Sequence, residues 1–180
     1  MVAASAGNHA AGVAWAARKV GLRAIAVVPK GAPTAKTERI RNLGGQVRHH
    51  GPDFDAAFYE AKRLAQENNW RMLHPFDDLD VIAGQGTIGL ELLYHRPDVV
   101  ALPIGGGGLA AGVGTVLQAH GIRVIGVQVR GVHAMAQALG FSRDYEEPRH
   151  TIADGVRVRT VGENTKRICA RVLDDIMLVS

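Results

Sequence analysis

Apolar and polar positions change their period again and again along the chain. Apolar residues return every three or four positions over 10–20, 34–43, 54–69, 80–94 and 109–120, and this spacing predicts helices. Between them lie short apolar runs rich in β-branched residues. "RAIAVVP" (23–29), "QVRHH" (46–50), "DVVALPI" (98–104), "RVIGVQV" (123–129) and "DIMLVS" (175–180) predict strands, and "RMLHPF" (71–76) a short strand or loop. "NTKRICARVLDD" (164–175) reads as a further helix. Asp53 is placed to cap the helix over 54–69, and Leu43-Gly44-Gly45 has the glycines of a helix C-terminus. "AGQGT" (83–87) is turn-like and is read as the start of the helix over 80–94. Short buried runs alternating with helices predict an α/β fold built of parallel βαβ units, with sheets covered on both faces.

Composition narrows this picture. The 180 residues suit one ordinary domain or two small ones. With 47% hydrophobic and 21% charged residues, the chain is neither disordered nor fibrous. The net charge of +4 comes from scattered basic residues, densest over 157–171. This reads as a solvated face, and the 5% aromatic content offers no stacking platform, so no nucleic-acid partner is expected. No stretch approaches the ~20 apolar residues of a membrane helix, and no basic leader of the secretory kind is visible. The single cysteine, Cys169, excludes an internal disulfide and points to a reduced, cytoplasmic setting. Its helical position reads as a small buried hydrophobe, not a nucleophile.

Candidate chemistry lies in two loops. In "LPIGGGGLAAGVG" (102–114) a strand ends, four glycines follow and a helix begins. Backbone N–H groups there can converge on a phosphate, helped by the helix dipole; the alternative is a tight crossover packed for its own sake. Gly105, Gly107 and Ala110 formally match G-x-G-x-x-A. A dinucleotide fold then wants an acidic residue about 20 positions on, where Gln128 and Arg130 stand, so a nucleotide-dependent oxidoreductase is disfavoured. No Gly-Lys-Ser/Thr follows, which excludes a Walker A loop. The second loop, "SAGNH" (5–9), also opens a helix and can hold a carboxylate, with Asn8 either a directional ligand or a cap. A carboxylate loop and a phosphate loop on parallel sheets point to a phosphorylated cofactor and an amino-acid substrate.

Four stretches, "ASAGNHAAGVA", "LHPFDDLDVIAGQGT", "LPIGGGGLAAGV" and "IADGVRV", stand in one family's order and spacing. With them the whole chain resembles the threonine dehydratase (threonine ammonia-lyase) and serine racemase branch of the fold type II, tryptophan-synthase-β-like, pyridoxal-phosphate enzymes. The resemblance implies two lobes of open twisted parallel sheet with flanking helices: 1–76 a small lobe carrying the first loop, and 77–180 part of a large lobe carrying the second. It assigns Ser5, Ala6, Gly7, Asn8 and His9 to the substrate α-carboxylate, and Asn8 also to the cofactor's ring oxygen. It assigns Gly105, Gly106, Gly107, Gly108 and Leu109 to the cofactor phosphate, itself the acid that helps a β-hydroxyl leave, and Gly155 to the edge of the ring.

The family also needs a lysine that holds the cofactor as a Schiff base and removes the α-proton. In relatives it lies upstream of the "SAGNH" loop, and none of Lys19, Lys30, Lys36, Lys62 or Lys166 matches its position. A polar partner of the pyridine nitrogen lies beyond Ser180 in relatives. The chain is therefore expected to be an internal fragment, incomplete at both ends, inactive alone and with apolar surface exposed. The racemase-like members hold a divalent metal on acidic residues at the positions of Gln128 and Ala134, so no metal is expected here. His49, His50 and His74 are read as locally bonded. The implied activity is β-elimination from L-threonine, or L-serine, to 2-oxobutanoate or pyruvate and ammonia, as in isoleucine biosynthesis, in a dimeric or tetrameric parent. The alternatives are a non-catalytic pyridoxal-phosphate-binding remnant and a racemase.

Overall fold

The computed structural model describes residues 1–143 and 151–180. It divides into two compact units, Met1–Pro75 and Phe76–Ser180.

In the first unit, β1 (Val2–Ala4), β2 (Ile25–Val28) and β3 (Gln46–His49) form a parallel sheet in that order. Helices α1 (Asn8–Lys19), α2 (Thr34–Asn42) and α3 (Phe54–Asn68) connect and cover it. The pleat of β2 decides which helix meets which face. Ala26 and Val28 pack with Ala10 and Ala14 of α1 and Ile40 of α2, whereas Val27 packs with Ala57, Ala61 and Leu64 of α3. Both faces are covered, as a parallel sheet requires. Local signals hold at the ends. Asp53 accepts the Ala56 N–H at 2.9 Å, and Gly44 takes a φ of +97° past α2, where Gly45 N–H returns to Ile40 O at 3.0 Å. The 71–76 run supplies a single parallel bridge, Met72 against Val2.

An ion network ties β3 to α3. Glu60, with 4% of its side chain exposed, takes two hydrogen bonds from Arg63 (2.7 and 2.9 Å) and lies 2.9 Å from Arg48. The Arg63 hydrogen bonds, joined by the charges of Arg63, Arg48 and His50 and opposed by burial, hold the carboxyl down to about 2 from 4.5. A depressed carboxyl stabilises fully above its unfolded value and loses that effect as pH falls toward the folded value. Glu60→Gln is therefore expected to melt below the parent at pH 7, the gap closing between pH 4.5 and about 2. Thermal melts across that range check it; a constant gap overturns it.

In the second unit, β4 (Val99–Pro103), β5 (Arg123–Val129) and β6 (Asp175–Val179) form another parallel sheet in that order. Helix α5 (Gly108–Gln118) packs on α4 (Leu79–Leu92) and α7 (Glu163–Val172), and a short α6 (Ala134–Ala138) follows β5. Ile104, Val113, Leu117, Val124, Met135, Cys169 and Ile176 fill the core between them. Each fully buried aliphatic side chain contributes about 1.5–3 kcal/mol.

Two expectations change here. The "AGQGT" patch does not begin a helix; it lies inside α4. Its Gly86 faces α5, where a Cβ would sit 3.3 Å from Gly112 O, and a Cβ on Gly112 would collide with Ile82 O. These glycines serve close helix–helix contact, not a turn. The second sheet is also not covered on both faces by the described residues. Val99, Met177 and Val179 are 51%, 56% and 40% exposed. Among the described residues no helix is long and apolar enough to cross a membrane.

Candidate functional site

Each unit carries one of the two loops. In the second, Ile104 ends the strand region and Gly105–Gly107 turn the chain into α5 without any side-chain cap. The first amide spent on the helix is that of Ala111, which donates to Gly107 O at 2.8 Å. The N–H groups of Gly106, Gly107 and Gly108 are buried, and among the described residues none finds an acceptor. Buried orphan donors are costly unless an anion takes them. No acidic residue stands in the first turn of α5 to compete for the role.

The loop is held from three sides. The Phe76 ring occupies the space a Cβ on Gly106 would need, and a Cβ on Gly108 would lie 2.9 Å from Phe76 Cα. Gly107 has a φ of +96°, and a Cβ there would lie 2.6 Å from Met135 Cε and 3.0 Å from Thr165 Cβ. Gly155, in a short 3₁₀ turn, passes the loop so closely that a Cβ on Gly105 would sit 3.2 Å from its carbonyl. Asp77 accepts the N–H groups of Glu163 (3.1 Å) and Thr165 (3.0 Å), fastening the start of α7 beside Phe76. Cys169 lies behind, its Sγ 3.7 Å from Gly107 O, and burial pushes its thiol up to about 12. It is a neutral packing group, as its helical position suggests.

In the first unit, Ser5–His9 connect β1 to α1. Gly7 N–H donates to Ser5 Oγ at 3.0 Å. One of the amides assigned to a carboxylate is thus taken locally, but the hydroxyl that accepts it keeps its own proton to donate. Gly7 caps α1 through its backbone only, and no acidic residue stands in the first turn. The His9 ring lies 3.0 Å from Leu73 O, tying the start of α1 to the 71–73 segment. Asn8 is exposed and its Oδ1 accepts from Arg39 Nη1 at 3.1 Å, so it is not a cap.

The remaining candidates fall elsewhere. Lys19, Lys30, Lys62 and Lys166 are exposed and Lys36 is half-buried. Gln128, where an acidic ligand was sought, is buried and satisfied at both ends: Nε2 donates to Ile104 O (3.2 Å) and Oε1 accepts Ala136 N–H (2.8 Å). Ala134 opens α6. His49 Nδ1 lies 3.4 Å from Pro29 O, and His74 stacks edge-on against Phe58. Among the described residues no group of three or more His, Cys, Asp or Glu could hold a metal. Sequence reasoning missed Arg39, Phe76, Asp77 and the structural role of Gln128. Phe76 and Asp77 carried a signal only as members of the stretch "LHPFDDLDVIAGQGT", and Gln128 as a polar side chain inside an apolar strand.

Comparison with known proteins gives a consistent result. A family model described as pyridoxal-phosphate dependent enzyme matches residues 1–180. The biosynthetic L-threonine dehydratase of Pasteurella multocida is 41% identical over 184 residues, covering 99% of this chain and 36% of that protein. The catabolic L-threonine dehydratase of Staphylococcus aureus is 42% identical over 186 residues, covering 100% and 54%. The chain thus spans about a third to a half of these relatives. Among solved structures, threonine deaminase isoform 2 of Solanum lycopersicum superposes with a TM-score of 0.91 at 39% identity, covering all of this chain and 51% of that one. Maize serine racemase gives 0.90 at 34% identity, covering 99% and 56%.

Proposed function

The chain belongs to the pyridoxal-phosphate dependent enzyme family, and on that premise we propose that it carries the phosphate and substrate loops of an enzyme eliminating the β-hydroxyl of L-threonine or L-serine. The observation that carries the reading is the run of buried, acceptorless amides of Gly106, Gly107 and Gly108 at the head of α5. They fit a phosphate dianion: the donors stand together at the head of α5, the helix dipole is favourable, and no acidic residue in the first turn competes. Leu109 N–H, the next free amide, completes the cradle, and Gly105 with Gly155 keep the approach narrow. When bound, the cofactor supplies an electron sink for negative charge at the substrate α-carbon.

The chain's own residues bind and orient. The Ser5 hydroxyl and the amides of Ala6, Asn8 and His9 receive the α-carboxylate, Gly7 having turned its amide to Ser5 Oγ. Asn8 offers its amide nitrogen to the cofactor's ring oxygen. The proton-moving lysine is not assigned to any lysine of this chain. Gln128 is committed to Ile104 and Ala136, which favours elimination over a metal-supported racemase. The proposal includes 1–76 and 77–180 as the two lobes and a homo-oligomeric cytoplasmic enzyme. It concerns the reaction and not its pathway, because the relatives are both biosynthetic and catabolic.

An enzyme that contains this chain together with a Schiff-base lysine is expected, when loaded with cofactor, to convert L-threonine to 2-oxobutanoate, and L-serine to pyruvate, each with one ammonia, whereas the 180-residue chain alone is expected to bind without turnover. Coupled keto-acid and ammonia assays check this. Cofactor binding without keto acid in the lysine-bearing enzyme would make it a binding module, and D-serine without keto acid would make it a racemase.

A further inference from the structure

We propose that Arg39 is a positioning residue for Asn8, holding the carboxamide so that its nitrogen faces the ligand and placing an unneutralised positive charge beside the 5–9 loop. The inference rests on the reading of that loop given above. The two residues are 31 positions apart and meet because α1 and α2 share one core. Ile40, next to Arg39, is 1% exposed and packs with Ala10 and Ala14 of α1, two and six residues beyond Asn8. The helix that presents Arg39 is therefore fixed against the helix that Asn8 opens.

A carboxamide has two ends of nearly equal shape, one accepting and one donating. Arg39 Nη1 donates to Asn8 Oδ1 at 3.1 Å and so occupies the accepting end. The donating Nδ2 is the end left for a ligand. A guanidinium is always charged, and its hydrogen bond polarises the amide and strengthens the donor at the other end. Among the described residues Arg39 has no carboxylate partner, whereas Arg48 and Arg63 both sit on Glu60. An arginine that spends its hydrogen bond on a neutral amide keeps its full charge for the surroundings. That charge adds to the positive end of α1, whose first turn holds no acid. Both effects favour an electron-rich or anionic oxygen over a neutral carbonyl, which matches a phenolate-type ring oxygen and an α-carboxylate.

The test is a double-mutant cycle in the full chain, read by titration with pyridoxal phosphate and by the position of its visible absorption band. Arg39→Met is expected to weaken cofactor binding about fivefold and to shift the band. Asn8→Ala is expected to do at least as much. Arg39→Met is expected to add nothing in the Asn8→Ala background, the sign of an effect carried through Asn8. Arg39→Lys, which keeps the charge and one donor, recovers part of the affinity. Circular dichroism of each variant should match the parent. If Asn8→Ala weakens binding and Arg39→Met does not, or if the two losses add, Arg39 has no positioning role while the loop reading stands. If neither variant changes affinity or spectrum, the reading of the loop fails with it.

Discussion

Gly107→Ala is expected to weaken pyridoxal phosphate binding at least tenfold. Two costs combine. The residue holds a φ of +96°, and a left-handed backbone costs a residue with a Cβ about 1–2 kcal/mol. The new methyl would also meet Met135 Cε at 2.6 Å and Thr165 Cβ at 3.0 Å. Met135 can move its terminal methyl, but Thr165 sits in α7, whose start is fixed by Asp77. Relief must come from the loop itself, turning the amides of Gly106–Gly108 out of convergence. Since about 1.4 kcal/mol is a tenfold change in affinity, even partial misalignment reaches that threshold. Gly121→Ala is the control. Its φ of +71° imposes a like backbone cost, but nothing lies within 4 Å and no ligand loop is near in sequence. It should lower stability and leave the affinity of the stable protein unchanged. Cofactor titration of both variants checks the pair; equal affinities would separate the loop from the phosphate.

Gly112→Ala is expected to give the largest loss of stability, about 2 kcal/mol or more, although alanine is the better helix former by about 1 kcal/mol. A Cβ on Gly112 collides with Ile82 O and lies 2.8 Å from Gly86 N, both backbone atoms of α4. No rotamer change relieves a clash with backbone, so α4 and α5 must part along their contact. The cavity and strain that follow outweigh the propensity gain. A fall in Tm of roughly 6 °C is expected for a chain of this size. Gly84→Ala, in the same helix α4 but with nothing within 4 Å of its Cβ, should raise Tm slightly. Thermal melts of the two decide whether close packing or propensity governs this helix pair.

The legible parts of the fold share one property: their cause is local. The strand over Arg123–Val129 is read correctly because parallel strands are runs of β-branched residues bounded by turns. Asp53 and Gly44 act where their chemistry says, one as an acceptor and one as a left-handed hinge. The glycine loop is recognisable because consecutive glycines before a helix have few uses. Failures occur where a partner distant in sequence decides. Gly86 looks like a turn residue until Gly112 lies against it. Gln128 looks like a missing acid until its two ends find Ile104 O and Ala136 N–H. The five-residue α6 has too few turns to show a period. The exposed face of the second sheet, with Val99 and Met177, reads as buried because the same apolar side chains suit both situations.

Legible from the chain alone were the alternation of helices and parallel strands and the two glycine-bearing loops that open α1 and α5. All of these follow from residue type and short spacing. Folding was needed to bring Phe76 and Asp77 against the glycine loop and Arg39 to Asn8 across 31 residues. The physical reason is that hydrogen-bond direction and van der Waals contact depend on distances under 4 Å, which chain order does not encode and helix packing does.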